Sequence, residues 1–165
     1  MILIGIGSNL ESSRFGPPRK IVAAALDALA SAEVRVCAGS RWYLSEPVPP
    51  ADQPWYVNGA AVLDSHLGAA ALLALLQELE TRFGRVRGAR NAARVLDLDL
   101  LDHDGQVIET PSLVLPHPRL HERRFVLVPL AEIAPSWRHP LLGLSAEELL
   151  ARLPPEEQPL HPLPG

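Results

Sequence analysis

The chain holds one cysteine, Cys37, so neither an intrachain disulfide nor a cysteine zinc cluster can form, and a reducing cytoplasm suits it. No apolar run approaches the ~20 residues that a membrane span needs, and Met1 to Gly7 has neither a basic leader nor the length of a signal peptide. A soluble, cytoplasmic protein without membrane contact is therefore expected. Bulk positive charge is missing too. A net charge of −4 and a pI near 5.8 argue against a nucleic-acid partner, so any phosphate recognition must come from local charge. No Gly-x-x-x-x-Gly-Lys-Ser/Thr segment is present, so a bound nucleotide would be held by another device. Lysine is as scarce as cysteine: Lys20 stands beside fourteen arginines. A codon-biased genome explains that total, and only the places where arginines cluster are informative.

What is present is 165 residues, 47% of them hydrophobic, enough for one globular domain spanning 1–165. The most informative stretch is Arg94-Val95-Leu96-Asp97-Leu98-Asp99-Leu100-Leu101. Period-two alternation marks a strand, with Leu96, Leu98 and Leu100 facing a core and Asp97 with Asp99 projecting from the other face. Two carboxylates about 7 Å apart along a strand can converge on a hard divalent cation such as Mg²⁺, which completes its octahedron with water and phosphate oxygens. For a bare Asp-x-Asp a solvated strand face is the commoner explanation. The flanking loop changes that balance: Arg85, Arg87, Arg90 and Arg94 fall within ten residues and lead directly into the two acids. Arginine grips phosphate by paired hydrogen bonds, and a metal would neutralise the remaining oxygens.

Along the chain, Ile2 to Gly7 reads as a buried strand, Pro18 to Ala30 as a helix opened by prolines, and Val34 to Tyr43 as a second strand. Ser45 to Pro54 carries four prolines and reads as a functional loop. Tyr56 to Asp64 resumes as a strand, and Ala69 to Phe83 is the clearest helix, ended by Gly84, with Gln77 and Glu80 neighbours on its surface. A hairpin turn is expected at Asp102 to Gly105, a helix over Phe125 to Ile133 that Pro129 must either bend or start, and a capped helix from Ser145. The proline-rich stretch 154–165 is expected to be a mobile tail. The order βαββαβ with a C-terminal hairpin and helical additions predicts an α+β fold, a ferredoxin-like sandwich of antiparallel sheet and helices.

Several co-linear motifs resemble one family, the 6-hydroxymethyl-7,8-dihydropterin pyrophosphokinases of folate synthesis. They are Gly7-Ser8-Asn9-Leu10, Asp52-Gln53-Pro54-x-Tyr56-x-Asn58, Gly84-Arg85-Val86-Arg87, Arg94-x-Leu96-Asp97-Leu98-Asp99, Pro116-His117, Arg123-x-Phe125 and Pro129-Leu130-x-Glu132-Ile133-Ala134-Pro135. The resemblance implies an Mg-dependent transfer of the β,γ-diphosphate of ATP to the pterin hydroxymethyl oxygen, with release of AMP. It implies that Asp97 and Asp99 hold two Mg²⁺ ions. Arg85 and Arg94 would then act catalytically, and Gln77, Glu80, Arg87, His117 and Arg123 would contact ATP. For the pterin, it implies stacking on Tyr56 and Phe125, a hydrogen bond from Asn58, and edge recognition by Ser45, Glu46, Pro47 and Val48. The expected partners are these two small molecules, and the expected state is a monomer. Two departures stand out: Asn91-Ala92-Ala93 replaces an aromatic residue and Gly-Pro common in the family, in a loop one residue shorter, and Ser112 stands where a basic residue is common.

Taken singly, aromatic residues such as Tyr56 and Phe125 are more often core residues, and a histidine such as His117 is more often structural in its loop than a ligand. The resemblance also leaves the general base open. Two other functions compete: a two-metal phosphohydrolase, which would need further ligands such as Asp102 and His103, and an RNA-binding module, which would need a basic, aromatic sheet face.

Overall fold

Ile2, Ile4 and Ile6 alternate with Leu3, Gly5 and Gly7 along β1 (Ile2–Ser8), which sends the two sets to opposite faces of a sheet. The computed structural model describes residues 1–31, 33–85 and 92–165. On one face the three isoleucines meet α1 (Pro18–Leu29) and α2 (Ala69–Arg82). Leu72, Leu76 and Leu79 of α2 are at most 1% exposed; each contributes about 1.5–3 kcal/mol by leaving water. On the other face Leu3 joins a second core with α3 (Arg124–Ile133) and α4 (Ala146–Leu150). The sheet is thus covered by helices on both sides.

Every strand pairing among the described residues is antiparallel. β1 lies between β4 (Tyr56–Ser65) and β5 (Asp97–His103), while β2 (Val34–Gly39) and β3 (Tyr43–Ser45) both pair with β4. The single strand expected over Val34 to Tyr43 is therefore two. Ser40 interrupts it: its backbone N–H donates to Ala60 O and its hydroxyl accepts from Ala60 N, so the chain stays on the sheet while changing direction. The turn at Asp104 and Gly105 has positive φ at both residues, as expected of a tight turn. It does not, however, fold Ile108 back onto β5. The hairpin instead joins β6 (Ile108–Glu109) to β7 (Val114–Leu115).

The tail departs most from expectation. Leu160–Pro162 forms β8, which pairs with β3, so the segment expected to be mobile is the outer strand of the sheet. Leu163 N donates to Trp42 O, and Arg19 of α1 bonds Pro164 O. Pro129 sits inside α3 rather than at its start, and Ser145 with Glu148 forms the capping box of α4. Among the described residues no helix is long and apolar enough to cross a membrane.

Candidate active site

The floor of the site follows from sheet register. Gly7 lies opposite Asn58 on one side and Asp97 on the other; Gly5 lies opposite Ala60 and Asp99 in the same way. Residues in register share a face, so Asn58 and both carboxylates project to one side of the sheet with two glycines between them. Gly7 has to be small, since a Cβ there would come within 2.6 Å of Asn58 Oδ1. Leu96, Leu98 and Leu100 are at most 5% exposed in the opposite core. The alternation stops at Leu101, where a bulge in β5 shifts the register against β1.

Above this floor is a cavity of about 260 Å³. Asp97, Asp99, Arg85, Arg94, His117 and Arg123 line it together with Tyr56, Asn58, Phe125 and the run Ser45, Glu46, Pro47 and Val48; the two sets interleave, with Arg123 over the Phe125 ring at 5.4 Å. Thirteen of the sixteen residues expected at the site thus border one space. Gln77 does not: it is exposed on α2, and its carbonyl accepts from the Thr81 hydroxyl. Glu80 also lies outside the lining, and Arg87, like Asn91, falls outside the described residues.

Glu80 acts from behind the wall. It is 5% exposed, its carboxylate accepts from Leu98 N at 2.8 Å, and the same oxygen pairs with Arg85 Nη1. Arg85 in turn reaches Asp97 Oδ1 at 3.3 Å. The helix end at Gly84, with φ of 95°, directs the chain so that Arg85 can make both contacts. One buried carboxylate therefore ties α2 to β5 and aims an arginine at the site. Burial pushes the Glu80 carboxyl up to about 7, against the pull of Leu98 N–H and Arg85.

The paired acids are held at high electrostatic cost. Burial first, and then the Asp99 charge, push Asp97 up to about 7, while Arg85, Arg123 and His117 oppose the rise. Asp99 is raised as well, chiefly by burial, with no hydrogen bond from a described residue to offset it. Tyr56 is pushed up to about 12, mainly by burial and then by the Asp97 charge. Burial lowers His117 to about 4, so its ring is neutral at pH 7. Its Nδ1 accepts from Arg119 N at 3.2 Å, which leaves Nε2 as the nitrogen carrying the proton and free to donate.

Asn9, named from sequence only within the motif Gly7-Ser8-Asn9-Leu10, ties three segments together. It is 2% exposed; its Oδ1 accepts from Arg94 N at 2.7 Å, its N–H donates to Arg94 O, and its amide nitrogen donates to Gln53 Oε1 and Pro54 O. It thereby joins β1, the proline-rich loop and the segment carrying Arg94. Gln53 and Pro49 also border the cavity without having been singled out. The available signal is the polar pair Ser8-Asn9 following the apolar run Ile2 to Gly7.

Asp102 and His103 do not line the cavity. Asp102 accepts from Trp137 Nε1 at 2.6 Å and from Gly105 N at 2.9 Å, and His103 Nε2 pairs with Leu67 O at 2.9 Å. Among the described residues no group of three histidine, cysteine, aspartate or glutamate side chains could hold a metal. Two carboxylates and no third protein ligand suit Mg²⁺, which keeps waters and takes phosphate oxygens, better than a metal caged by protein alone.

Carboxylates and arginines suited to a polyphosphate, sharing one cavity with aromatic and amide side chains suited to a flat polar acceptor, fit a phosphotransferase. Comparison with known proteins gives the particular family. The family model described as 7,8-dihydro-6-hydroxymethylpterin-pyrophosphokinase matches residues 3–135. A 2-amino-4-hydroxy-6-hydroxymethyldihydropteridine pyrophosphokinase of Pseudomonas aeruginosa is 44% identical over 165 residues, covering 99% of this chain and 97% of that one. Proteins of the same name are 39% identical in Methylorubrum extorquens, over 92% of each chain, and 38% identical in Synechocystis, over 92% of this chain and 75% of that one. The chain belongs to the 7,8-dihydro-6-hydroxymethylpterin-pyrophosphokinase family.

Proposed function

We propose that the cavity over β1, β4 and β5 transfers the β,γ-diphosphate of ATP to the hydroxymethyl oxygen of 6-hydroxymethyl-7,8-dihydropterin and releases AMP, in folate synthesis. The observation that carries the reading is the convergence, in one 260 Å³ space, of Asp97 and Asp99 with Arg85, Arg94, Arg123 and the neutral His117, and of Tyr56, Asn58 and Phe125 beside them. Asp97 and Asp99 hold the Mg²⁺ ions, two in this reading. When bound, these ions neutralise polyphosphate oxygens and orient the triphosphate. The raised carboxyls support this, since two crowded, poorly compensated acids are relieved by a cation.

Arg85 and Arg94 grip phosphate oxygens as charge redistributes in the transfer, and Arg123 and the neutral His117 donate from the opposite wall. Arg87 is assigned to ATP on the family resemblance. Glu80 orients Arg85 rather than touching ATP, and Gln77, exposed on the outer face of α2, is left without a role in this account. The pterin stacks on Tyr56 and Phe125, its edge is read by Asn58 and the Ser45–Val48 backbone, and its hydroxymethyl group points toward Asp97 and Asp99. Stacking contributes about 0.5–1.5 kcal/mol per aromatic pair beyond burial. In-line positioning and electrostatics drive the reaction.

The strand order, with α1 and α2 packed on one face, supports the ferredoxin-like reading of the sheet. The hydrolase alternative loses support because Asp102 and His103 are engaged elsewhere. An RNA-binding module needs an open sheet face, whereas α3 and α4 cover this one. The test is to incubate the protein with ATP, Mg²⁺ and the pterin alcohol and to identify the nucleotide product. AMP together with a diphosphorylated pterin is expected; ADP or free phosphate as the only product would overturn the reading.

A further inference from the structure

The C-terminal segment lies beyond residues 3–135, the span of the family match, yet it contacts both walls of the cavity. Gln158 Oε1 accepts from Arg124 N at 2.9 Å, and its Nε2 donates to Glu122 O at 2.9 Å. Arg124 is the first residue of α3, a helix whose N-cap Arg123 makes no side-chain cap bond. The Gln158 amide therefore supplies the missing cap from a distant part of the chain. It also spans the junction between the short 3₁₀ turn Leu120–Glu122 and α3, where Arg123 and Phe125 enter the cavity. Arg124 Nη1 reaches back to the carbonyls of Glu157 and Gln158.

The next residue holds the opposite wall. Pro159 O accepts from Glu46 N at 3.1 Å, and Leu160 is in register with Ser45 at the start of the β3–β8 ladder. Two consecutive residues of the tail thus clasp the Phe125 side and the Ser45–Val48 side of the same pocket. Gln158 adopts φ of 53°, a left-handed conformation that residues other than glycine, asparagine and aspartate rarely take. Such a conformation persists where the surroundings over-determine it, and here the two amide hydrogen bonds do so.

We propose that Gln158 is a positioning residue that fixes the Phe125 wall relative to the Ser45–Val48 wall and so sets the affinity for the pterin. This rests on the assignment of the cavity to pterin and ATP made above. Gln158 touches neither substrate. It acts by keeping the stacking face and the edge-reading backbone at one spacing, which a flat ring needs and a flexible triphosphate does not.

The test compares Gln158→Ala with Gln158→Gly in steady-state kinetics and thermal melting. Both variants remove the amide half of the clasp, but glycine also relieves the left-handed backbone, so Gln158→Gly should melt no lower than Gln158→Ala. Both should raise the KM for pterin about five- to tenfold, the effect of two lost hydrogen bonds, and more than they raise the KM for ATP, to which Arg123 at the same junction contributes. An active wild type with unchanged pterin KM in both variants would overturn the role of Gln158 alone. Equal increases in both KM values that follow the loss of melting temperature would also overturn it, as plain destabilisation. A wild type that forms no AMP would overturn the functional assignment and this inference with it.

Discussion

Gly7 and Gly5 offer a sharp comparison, because they lie two residues apart on one strand, facing the same side, and differ only in what surrounds them. A Cβ at Gly5 would meet Leu101 at 3.7 Å and Asp99 Cβ at 3.9 Å, ordinary contact distances. Gly5→Ala should therefore be neutral or stabilising by up to about 1 kcal/mol, since alanine narrows the unfolded ensemble. A Cβ at Gly7 would stand 2.6 Å from Asn58 Oδ1, and Asn58 cannot simply swing aside: it is 6% exposed and its amide nitrogen bonds the Ser45 hydroxyl. Overpacking of this kind costs roughly 1–3 kcal/mol, and losing the Asn58–Ser45 bond adds about 1. After the gain in chain entropy a net loss of about 1–3 kcal/mol remains. At this chain length that lowers the melting temperature by roughly 3–10 °C. Displacing Asn58 should also weaken pterin binding about tenfold or more, which calorimetry would measure. Equal melting temperatures and equal pterin affinities for Gly5→Ala and Gly7→Ala would refute the reasoning.

Asn9→Ala should destabilise the protein by about 1–3 kcal/mol, since Arg94 N and the loop groups it holds lose their buried partner, and should lower turnover more than Gln77→Ala does; denaturant melts and AMP release would check both. Glu80→Gln should lower kcat more than the KM for ATP, because the pairing that aims Arg85 is weakened while the phosphate-binding groups remain; a change confined to KM would contradict that role. Glu132 has its carboxyl held below the ordinary range: burial would raise it, but hydrogen bonds from the Tyr43 hydroxyl and from Arg41 prevail. A depressed folded value contributes stability above the ordinary carboxyl pKa and loses it as the pH falls through the folded one. The melting temperatures of wild type and Glu132→Gln should thus differ most at neutral pH and converge in acid; a gap that widened in acid would reverse the assignment.

The β5 carboxylates were legible because alternation is local: three leucines and two aspartates state which face is which. The same logic fails at Leu101, where one extra residue in β5 puts Asp102 against Trp137, and no pattern in the strand announces that bulge. Val34 to Tyr43 looked continuous because both halves have strand character; what splits it lies elsewhere, in the Ser40 contacts with Ala60. The arginine, histidine and aromatic residues of the cavity came from motif order rather than from any local period, since Tyr56 and Phe125 meet the site from β4 and α3. The tail misled for a physical reason. Its prolines remove N–H donors and argue against a central strand, yet they are compatible with an edge, which is where β8 lies. Asn9 and Gln158 act over 85 and 34 residues of chain, and such long-range hydrogen bonds leave no spacing to read.

The most direct measurement is the rate of AMP release, with ATP, Mg²⁺ and the pterin alcohol, by Asp97→Asn and Asp99→Asn beside wild type. Each substitution keeps the shape of the side chain and leaves Leu96, Leu98 and Leu100 in place, so circular dichroism should be unchanged. Because each removes one of two charged ligands for the ions that must offset a triphosphate, turnover should fall by about two orders of magnitude or more. Turnover within a few-fold of wild type in either correctly folded variant would contradict the account.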